Sequence, residues 1–185
     1  FLKLDVLMLS YYRSPVEVGF YAVALALVSR LDVLKNAVLT SSFPDACRQA
    51  SPQELRGYIR QSLKLTALSS AALVPLFALG QILIELLYGT EYSAAVPVFS
   101  LLLVGFIIGL NAAPIAFVLY PLNRPRWIAA SDVLQLVFNS SVNLLLIPSS
   151  GIIGAALAVV LTRFFAALIT FVLVRRFLWT TPAQT

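Results

Sequence analysis

The chain has 185 residues, of which 60% are hydrophobic and 11% charged, whereas soluble domains are typically about 45–50% apolar and about 25% charged. So much apolar surface cannot all be buried at this length, which argues against a water-soluble enzyme with a single core. The net charge is +5, but the basic residues lie between apolar runs, so no nucleic-acid partner is expected. Histidine is absent and Cys47 is alone, which argues against a histidine-dependent triad, a disulfide framework or a Cys/His zinc site.

Long apolar segments follow one another along the chain, most of them close to the roughly 20 residues that a membrane-spanning helix needs. They are too long for barrel strands and lack alternation, so we predict an all-α, polytopic transmembrane helical bundle with about six spans. The chain begins at Phe1 inside the first segment, and we therefore expect a piece of a longer protein. The predicted spans cover residues 1–13 (truncated), 17–43, 58–87, 94–120, 127–147 and 151–178.

Lysine and arginine residues are distributed unequally among the predicted connections. Eight fall in the loop after 17–43, the loop at 121–126 and the tail, while the alternate connections have only Arg13. Because cytoplasmic loops carry an excess of basic residues, we expect the basic loops and the C-terminus to be cytoplasmic. The chain would then be a multi-pass protein of the cytoplasmic (inner) membrane.

Two kinds of residue predict how the spans bend and pack. Pro75, Pro97 and Pro114 fall within predicted spans, where proline kinks or locally unwinds a helix. Gly80 and the pair Gly105 and Gly109 are interpreted as packing positions, because small residues let helices approach closely.

Charged residues at membrane depth are the most informative feature. Arg30 and Arg163 each lie about 18–20 Å from both ends of their spans, near the midplane. A charge there is costly unless it faces a bundle interior or a wet cavity, and we favour a cavity for both arginines. Asp32 and Lys35 have i,i+3 spacing, which predicts an ion pair on one helix face. A purely structural role for that pair is as plausible as a functional one.

Four polar residues form a stripe on the predicted span 127–147. Asp132, Gln135, Asn139 and Asn143 occupy i, i+3, i+7 and i+11, which places them on one helix face. The stripe either lines an aqueous cavity or supplies interhelical hydrogen bonds. For Asp132, near the cytoplasmic end, an interface role is the better interpretation.

The deep charges are net positive, which favours an anionic headgroup such as a pyrophosphate over a cationic drug. No catalytic residue, metal site or cofactor is predicted. The candidate substrate-binding residues are Arg30, Lys35, Arg163, Asp32, Asn139 and Gln135, and the candidates for ion coupling to H⁺ or Na⁺ are Asp5, Asp32 and Asp132.

Four groups of residues have an order and spacing that are specific together, although no single group is decisive. They are Asp5-x-x-Met8-Leu9 with Val18-Gly19-x-Tyr21, Tyr88-Gly89-Thr90-Glu91-Tyr92 with Ala94-Ala95-Val96-Pro97, Asn123-Arg124-Pro125, and Asn139-x-x-x-Asn143-Leu144-Leu145-Leu146-Ile147-Pro148-x-x-Gly151-Ile152-x-Gly154-Ala155-Ala156. In these residues the chain resembles the polysaccharide-biosynthesis (oligosaccharide flippase) branch of the MOP transporter superfamily, which is related to the MATE transporters and lipid II flippases.

The resemblance implies a twelve-helix transporter of two lobes, of which residues 1–185 form the C-terminal lobe and the N-terminal lobe is missing. It implies alternating access that moves a polyprenyl-pyrophosphate-linked oligosaccharide, of the O-antigen or exopolysaccharide repeat type, across the cytoplasmic membrane. The partners would be the bilayer and polysaccharide assembly enzymes. Asp5 matches a recurring acidic position of the family.

Two other functions compete with a flippase, and a third alternative, a purely structural membrane subunit, does not explain arginines at the midplane. A MATE-type H⁺- or Na⁺-coupled drug or cation antiporter would need acidic groups at depth, whereas here the deep charge is positive. A membrane-embedded glycan polymerase or ligase is disfavoured by the absent histidine, the few carboxylates and the short outer connections. We therefore expect a transporter and not an enzyme.

Overall fold

The computed structural model describes residues 2–33, 35–37, 40, 52–120 and 125–180, and within these ranges all regular structure is helical. The all-α prediction is therefore confirmed, whereas the loop with Cys47 and the Asn123-Arg124 turn lie outside the described residues. The helices are α1 (Leu2–Tyr12), α2 (Pro15–Arg30), α3 (Pro52–Leu73), α4 (Pro75–Tyr88), a 3-10 turn (Thr90–Ala94), α5 (Ala95–Phe117) and α6 (Pro125–Thr180).

The helix α6 is broken at Gly151, as the sequence predicts. Gly151 has φ 57° and ψ −132°, a conformation that residues with a Cβ rarely adopt. The halves before and after it pack side by side: the Phe138 and Phe165 rings stack with centroids 4.3 Å apart. A Cβ at Gly154 would lie only 2.2 Å from the Leu146 carbonyl oxygen. The two halves of α6 therefore form a helical hairpin, and their contact at Gly154 leaves no room for a side chain.

The side chain of Arg13 stabilises this hairpin turn. Its Nη2 donates hydrogen bonds to the carbonyl oxygens of Ile147, at 3.0 Å, and Pro148, at 2.9 Å. These carbonyls lie at the end of a helical segment, where they lack intrahelical partners, and an arginine there also interacts favourably with the helix dipole. The turn between α1 and α2 is thereby joined to the turn inside α6.

The helices α3 and α4 form one bent rod. Pro75 begins α4 directly after Val74, and the two helices meet at a bend of 44°, because proline cannot continue the hydrogen-bond ladder. Gly80 of α4 then lies against α5, where an added Cβ would be 2.7 Å from the Phe99 ring. The packing role predicted for Gly80 is confirmed.

Both ends of the bundle can be identified from their residues. Leu55 and Tyr58 of α3 pack with Val118 and Leu119 after α5 and with Val174 of α6. This cluster brings together the parts of α3 and α6 that carry the basic residues; we call it the basic end. The turn at Gly151 lies at the opposite end, about 34 Å away along the 23 residues of α5.

Two helical stretches are long and apolar enough to cross a membrane, Thr90–Phe117 and Arg126–Arg176, and α3 with α4 make a third if the bent pair counts as one span. The stretch Arg126–Arg176 includes the turn at Gly151. The count of six spans stays a prediction, since the segment predicted over 17–43 runs into residues outside the described ranges.

A test of the hairpin is Gly154→Ala in the full-length protein. The added Cβ would overlap the Leu146 carbonyl, so we expect a loss of about 1–3 kcal/mol of stability, as for other overpacked sites. The measurement is the thermal unfolding midpoint in detergent. Gly19→Ala is the matched control, because a Cβ at Gly19 meets nothing within 4 Å. Equal midpoints for the two variants would contradict the close approach.

Candidate functional site

A cavity of about 190 Å³ lies between α2, α5 and the second half of α6. We call it the Arg163 cavity. Typical pockets for drug-sized ligands are about 300–1,000 Å³, so this cavity suits water molecules or a small charged group. Its polar lining consists of Ser29, Asp32, Lys35 and Arg163, and its apolar lining of Leu25, Val28, Leu102, Phe106, Gly109, Ala113 and Val159.

The stem of Arg163 lies against the glycine pair of α5. A Cβ at Gly109 would be 3.5 Å from Arg163 Cδ and 3.7 Å from its Nε, and a Cβ at Gly105 would be 3.8 Å from its Cγ. Gly105 also packs on α6, because its Cβ would lie 3.3 Å from Val159. The predicted packing role is confirmed, and the same glycines leave room for the arginine side chain.

Arg163 has no close partner among the residues that the structure describes. No hydrogen bond or ion pair joins its guanidinium to any of them, and it interacts with the charges of Asp32 and Asp5 only at longer range. Arg163 is half-buried, and a charge that is partly removed from water without a partner is costly. The arrangement therefore calls for water or an anion in the cavity.

The Asp32 and Lys35 side chains form an ion pair, as their spacing predicts. Lys35 Nζ also lies 5.8 Å from the centre of the Phe106 ring, in cation–π geometry. Because this pair is neutral as a unit, Arg163 gives the lining of the cavity a net charge of +1.

Arg30 does not belong to this group. It is exposed, whereas Leu25, Val28, Ser29 and Asp32 of the same helical region line the cavity. Helix periodicity places Arg30 about 200° away from Val28, on the opposite face. The structure brings Lys35, Asp32 and Arg163 together and leaves Arg30 outside.

A second polar site, the Asp5 network, joins α1 to both halves of α6. Asp5 is fully buried, and its Oδ1 accepts a hydrogen bond of 2.5 Å from Asn143 Nδ2. The same amide donates to Asn139 Oδ1 at 3.1 Å. Asn139 Nδ2 donates to Thr162 Oγ1 at 3.3 Å. These four residues define the network, in which two members of the predicted polar stripe, Asn139 and Asn143, make hydrogen bonds to other helical segments.

Asp5 Oδ2, Asn143 Oδ1 and the Tyr21 hydroxyl are buried and make no hydrogen bond of standard geometry with the described residues. The Tyr21 hydroxyl nevertheless lies close enough to act as a donor to the Asp5 carboxylate. Leaving a buried polar atom unsatisfied costs about 1–3 kcal/mol. The Asn143 oxygen has no such donor, and a proton or a small cation shared with Asp5 would satisfy it.

The other two members of the stripe differ in environment. Gln135 is buried, but no hydrogen bond links it to the Asp5 network. Asp132 is exposed, towards the basic end of α6. Depth in the bundle thus separates Asp132 from Asp5, although both are candidate ion-coupling residues.

Sequence reasoning missed several polar contacts between helices. Thr162 joins the network from the second half of α6, and Asn111 connects α5 to α3. The Asn111 Oδ1 accepts from Thr66 Oγ1 at 3.0 Å, and its Nδ2 donates to Ser70 Oγ at 2.8 Å. Two sequence features could have predicted this contact: the i,i+4 pair Thr66 and Ser70 on one helix, and the isolated Asn111 in another apolar segment.

The charge and hydration of the Arg163 cavity can be tested by cysteine labelling. Ser29→Cys, in a full-length protein without other cysteines, should react with water-soluble methanethiosulfonates, and faster with the sulfonate than with the trimethylammonium reagent. Adding Arg163→Gln should abolish that preference, since the net charge of the lining falls to zero.

The control is Val104→Cys, on the exposed face of α5 at the depth of the lining residues Leu102 and Phe106, outside the cavity and with no charged residue within one turn. Ser29→Cys that reacts no faster than this control, or without preference for the anionic reagent, would show that the cavity is dry or uncharged.

Comparison with known proteins gives one informative similarity. The chain is 26% identical over 166 residues to a Haloferax volcanii protein named probable low-salt glycan biosynthesis flippase Agl15. The match covers 86% of this chain and 34% of that protein, so the chain spans about a third of its relative's length. No protein-family model and no solved structure matches the chain.

Proposed function

We propose that this chain forms the C-terminal lobe of a flippase that moves a polyprenyl-pyrophosphate-linked oligosaccharide across the cytoplasmic membrane. The similarity to a glycan biosynthesis flippase and the membrane-compatible helices support a transporter and not an enzyme. The observation that carries the choice of substrate is the uncompensated Arg163 in its cavity.

In this proposal Arg163 holds the pyrophosphate of the substrate. A guanidinium presents its donors in a fork that matches phosphate oxygens, and it stays charged at any physiological pH. The apolar walls formed by Leu102 and Phe106 lower the local dielectric and strengthen that contact. Lys35, at the same wall, would provide a second positive charge if Asp32 moved away from it.

The small volume of the Arg163 cavity agrees with the binding of only the pyrophosphate part of the substrate there. A cavity of about 190 Å³ accommodates a charged headgroup and not a whole oligosaccharide. The glycan would occupy the space between this lobe and the other part of the transporter, and the polyprenyl chain would stay in the bilayer. Movement of one lobe against the other would then expose the headgroup alternately to each side.

The Asp5 network would bind the coupling ion, H⁺ or Na⁺. Thr162 belongs to that network and Arg163 lines the cavity, so the two sites meet at consecutive residues of α6. A cation at Asp5 would neutralise the carboxylate that attracts Arg163. More of the arginine's positive charge would then be available to a phosphate, so ion and substrate would favour each other's binding.

The basic end would face the cytoplasm, because cytoplasmic segments carry an excess of basic residues. Lipid-linked sugars of the O-antigen or exopolysaccharide type would be received there from the assembly enzymes.

A drug or cation antiporter is not favoured, because the net charge of the Arg163 cavity is positive and would repel a cation.

Replacement of the cavity arginine tests the substrate site. Arg163→Gln in the full-length protein should reduce glycan export about 10- to 100-fold at limiting substrate, since a hydrogen bond to a charged group contributes about 1.5–3 kcal/mol. The measurement is the lipid-linked glycan translocated in vesicles, normalised to folded protein. Arg30→Gln is the control, because it removes the same charge outside the cavity. Equal effects of the two variants would refute the proposed site.

Replacement of the buried acid tests the coupling site. Asp5→Asn keeps the shape of the side chain and removes its charge, so export should no longer respond to an imposed H⁺ or Na⁺ gradient. Asp132→Asn, at an exposed position, should keep the wild-type response. Full gradient dependence in Asp5→Asn would exclude Asp5 as the coupling group and leave the substrate site untouched.

A further inference from the structure

A larger cavity, of about 430 Å³, opens at the basic end between α3, α5 and the second half of α6. We call it the basic-end cavity. It shares no lining residue with the Arg163 cavity. Its lining is apolar apart from Arg56 and Arg175, and neither the substrate site nor the ion site accounts for it.

Polar and apolar groups are separated along the length of this cavity. On α3, Arg56, Ile59 and Leu63 follow one another on the same face, so the wall changes from charged to apolar over about 10 Å. On α6, Phe171 lies one turn deeper than Arg175. Both arginines are exposed at the basic end. The cavity therefore has two positive charges at its mouth and a hydrophobic interior.

Aromatic side chains indicate where this mouth lies relative to a bilayer. Trp127 and Tyr120, at the same end of the bundle, are 41% and 45% exposed. Tryptophan and tyrosine are enriched at membrane–water interfaces, where their rings lie at the level of the headgroups. Arg56 and Arg175 would accordingly lie at phosphate depth and Leu63 and Phe171 at acyl-chain depth.

We propose that the basic-end cavity binds one anionic membrane lipid. Its phosphate would lie between Arg56 and Arg175, and one of its acyl chains along Ile59, Leu63 and Phe171. Basic pockets between membrane helices on the cytoplasmic side bind anionic headgroups by the same combination of charge and depth. The bound lipid would bridge α3 and α6, and it is distinct from the transported substrate.

The headgroup contact is tested with the purified full-length protein, to which dioleoyl phosphatidylglycerol or dioleoyl phosphatidylcholine is added and bound lipid is counted by native mass spectrometry. We expect selective retention of the anionic lipid. The double variant Arg56→Gln/Arg175→Gln should bind it at least about 100-fold more weakly, at about tenfold or more for each hydrogen bond lost between a guanidinium and the phosphate.

The matched control is Arg60→Gln/Arg126→Gln, which removes the same charge from exposed positions at the basic end that do not line the cavity. This variant should retain nearly wild-type affinity for phosphatidylglycerol. An equal loss in both double variants would mean that only the general surface charge matters, and would overturn the proposed site.

The apolar part of the cavity is tested separately by Leu63→Trp, which fills the interior and keeps both arginines. It should weaken phosphatidylglycerol binding while the helix content by circular dichroism stays unchanged. Glycerol phosphate, which has the headgroup but no acyl chain, should not compete at the concentrations at which the lipid binds. Retention of the lipid in Leu63→Trp, or equal binding of the two lipids by the native protein, would contradict the proposal.

Discussion

A guanidinium group inside an apolar helical bundle must be hydrated or paired, because an isolated charge in such a medium is prohibitively costly. In this chain the constraint applies above all to Arg163. Arg163 has its stem on the glycines of α5 and its head in a cavity, with no close partner among the described residues. Had Asp32 paired with Arg163, the lining would still carry a net charge of +1, but that charge would lie on Lys35. Instead Asp32 pairs with Lys35, and the positive charge of Arg163 remains uncompensated.

The hairpin of α6 places the two polar sites side by side. The break at Gly151 folds the second half of the helix onto the first, and Arg13 binds the carbonyls at the turn. As a result Thr162 reaches Asn139, while the next residue of the helix lines the Arg163 cavity. In the proposed flippase, a change in the charge of the Asp5 network would act directly on the neighbouring cavity, without a long chain of contacts, and would thereby couple ion binding to substrate binding.

The sequence predicted what depends on local spacing and missed what depends on how helices face one another. The i,i+4 pair Asn139 and Asn143 and the break at Gly151 were both predictable, since helical periodicity and turn residues specify them. The contact of Asp5 with Asn143 joins residues 138 positions apart, and no local pattern encodes it. Depth alone could not distinguish Arg30 from Arg163. The periodicity of the lining residues of α2 would have separated them, because it places Arg30 on the opposite face.

The decisive measurement is a structure of the full-length protein, in a lipid environment, with the proposed pyrophosphate-linked lipid added. We expect phosphate oxygens within hydrogen-bond distance of the Arg163 guanidinium and a sugar chain that extends away from α5 into the space beside this lobe. This expectation would be contradicted by an Arg163 enclosed in a dry ion pair with an acidic residue from the rest of the protein, with the pyrophosphate bound elsewhere.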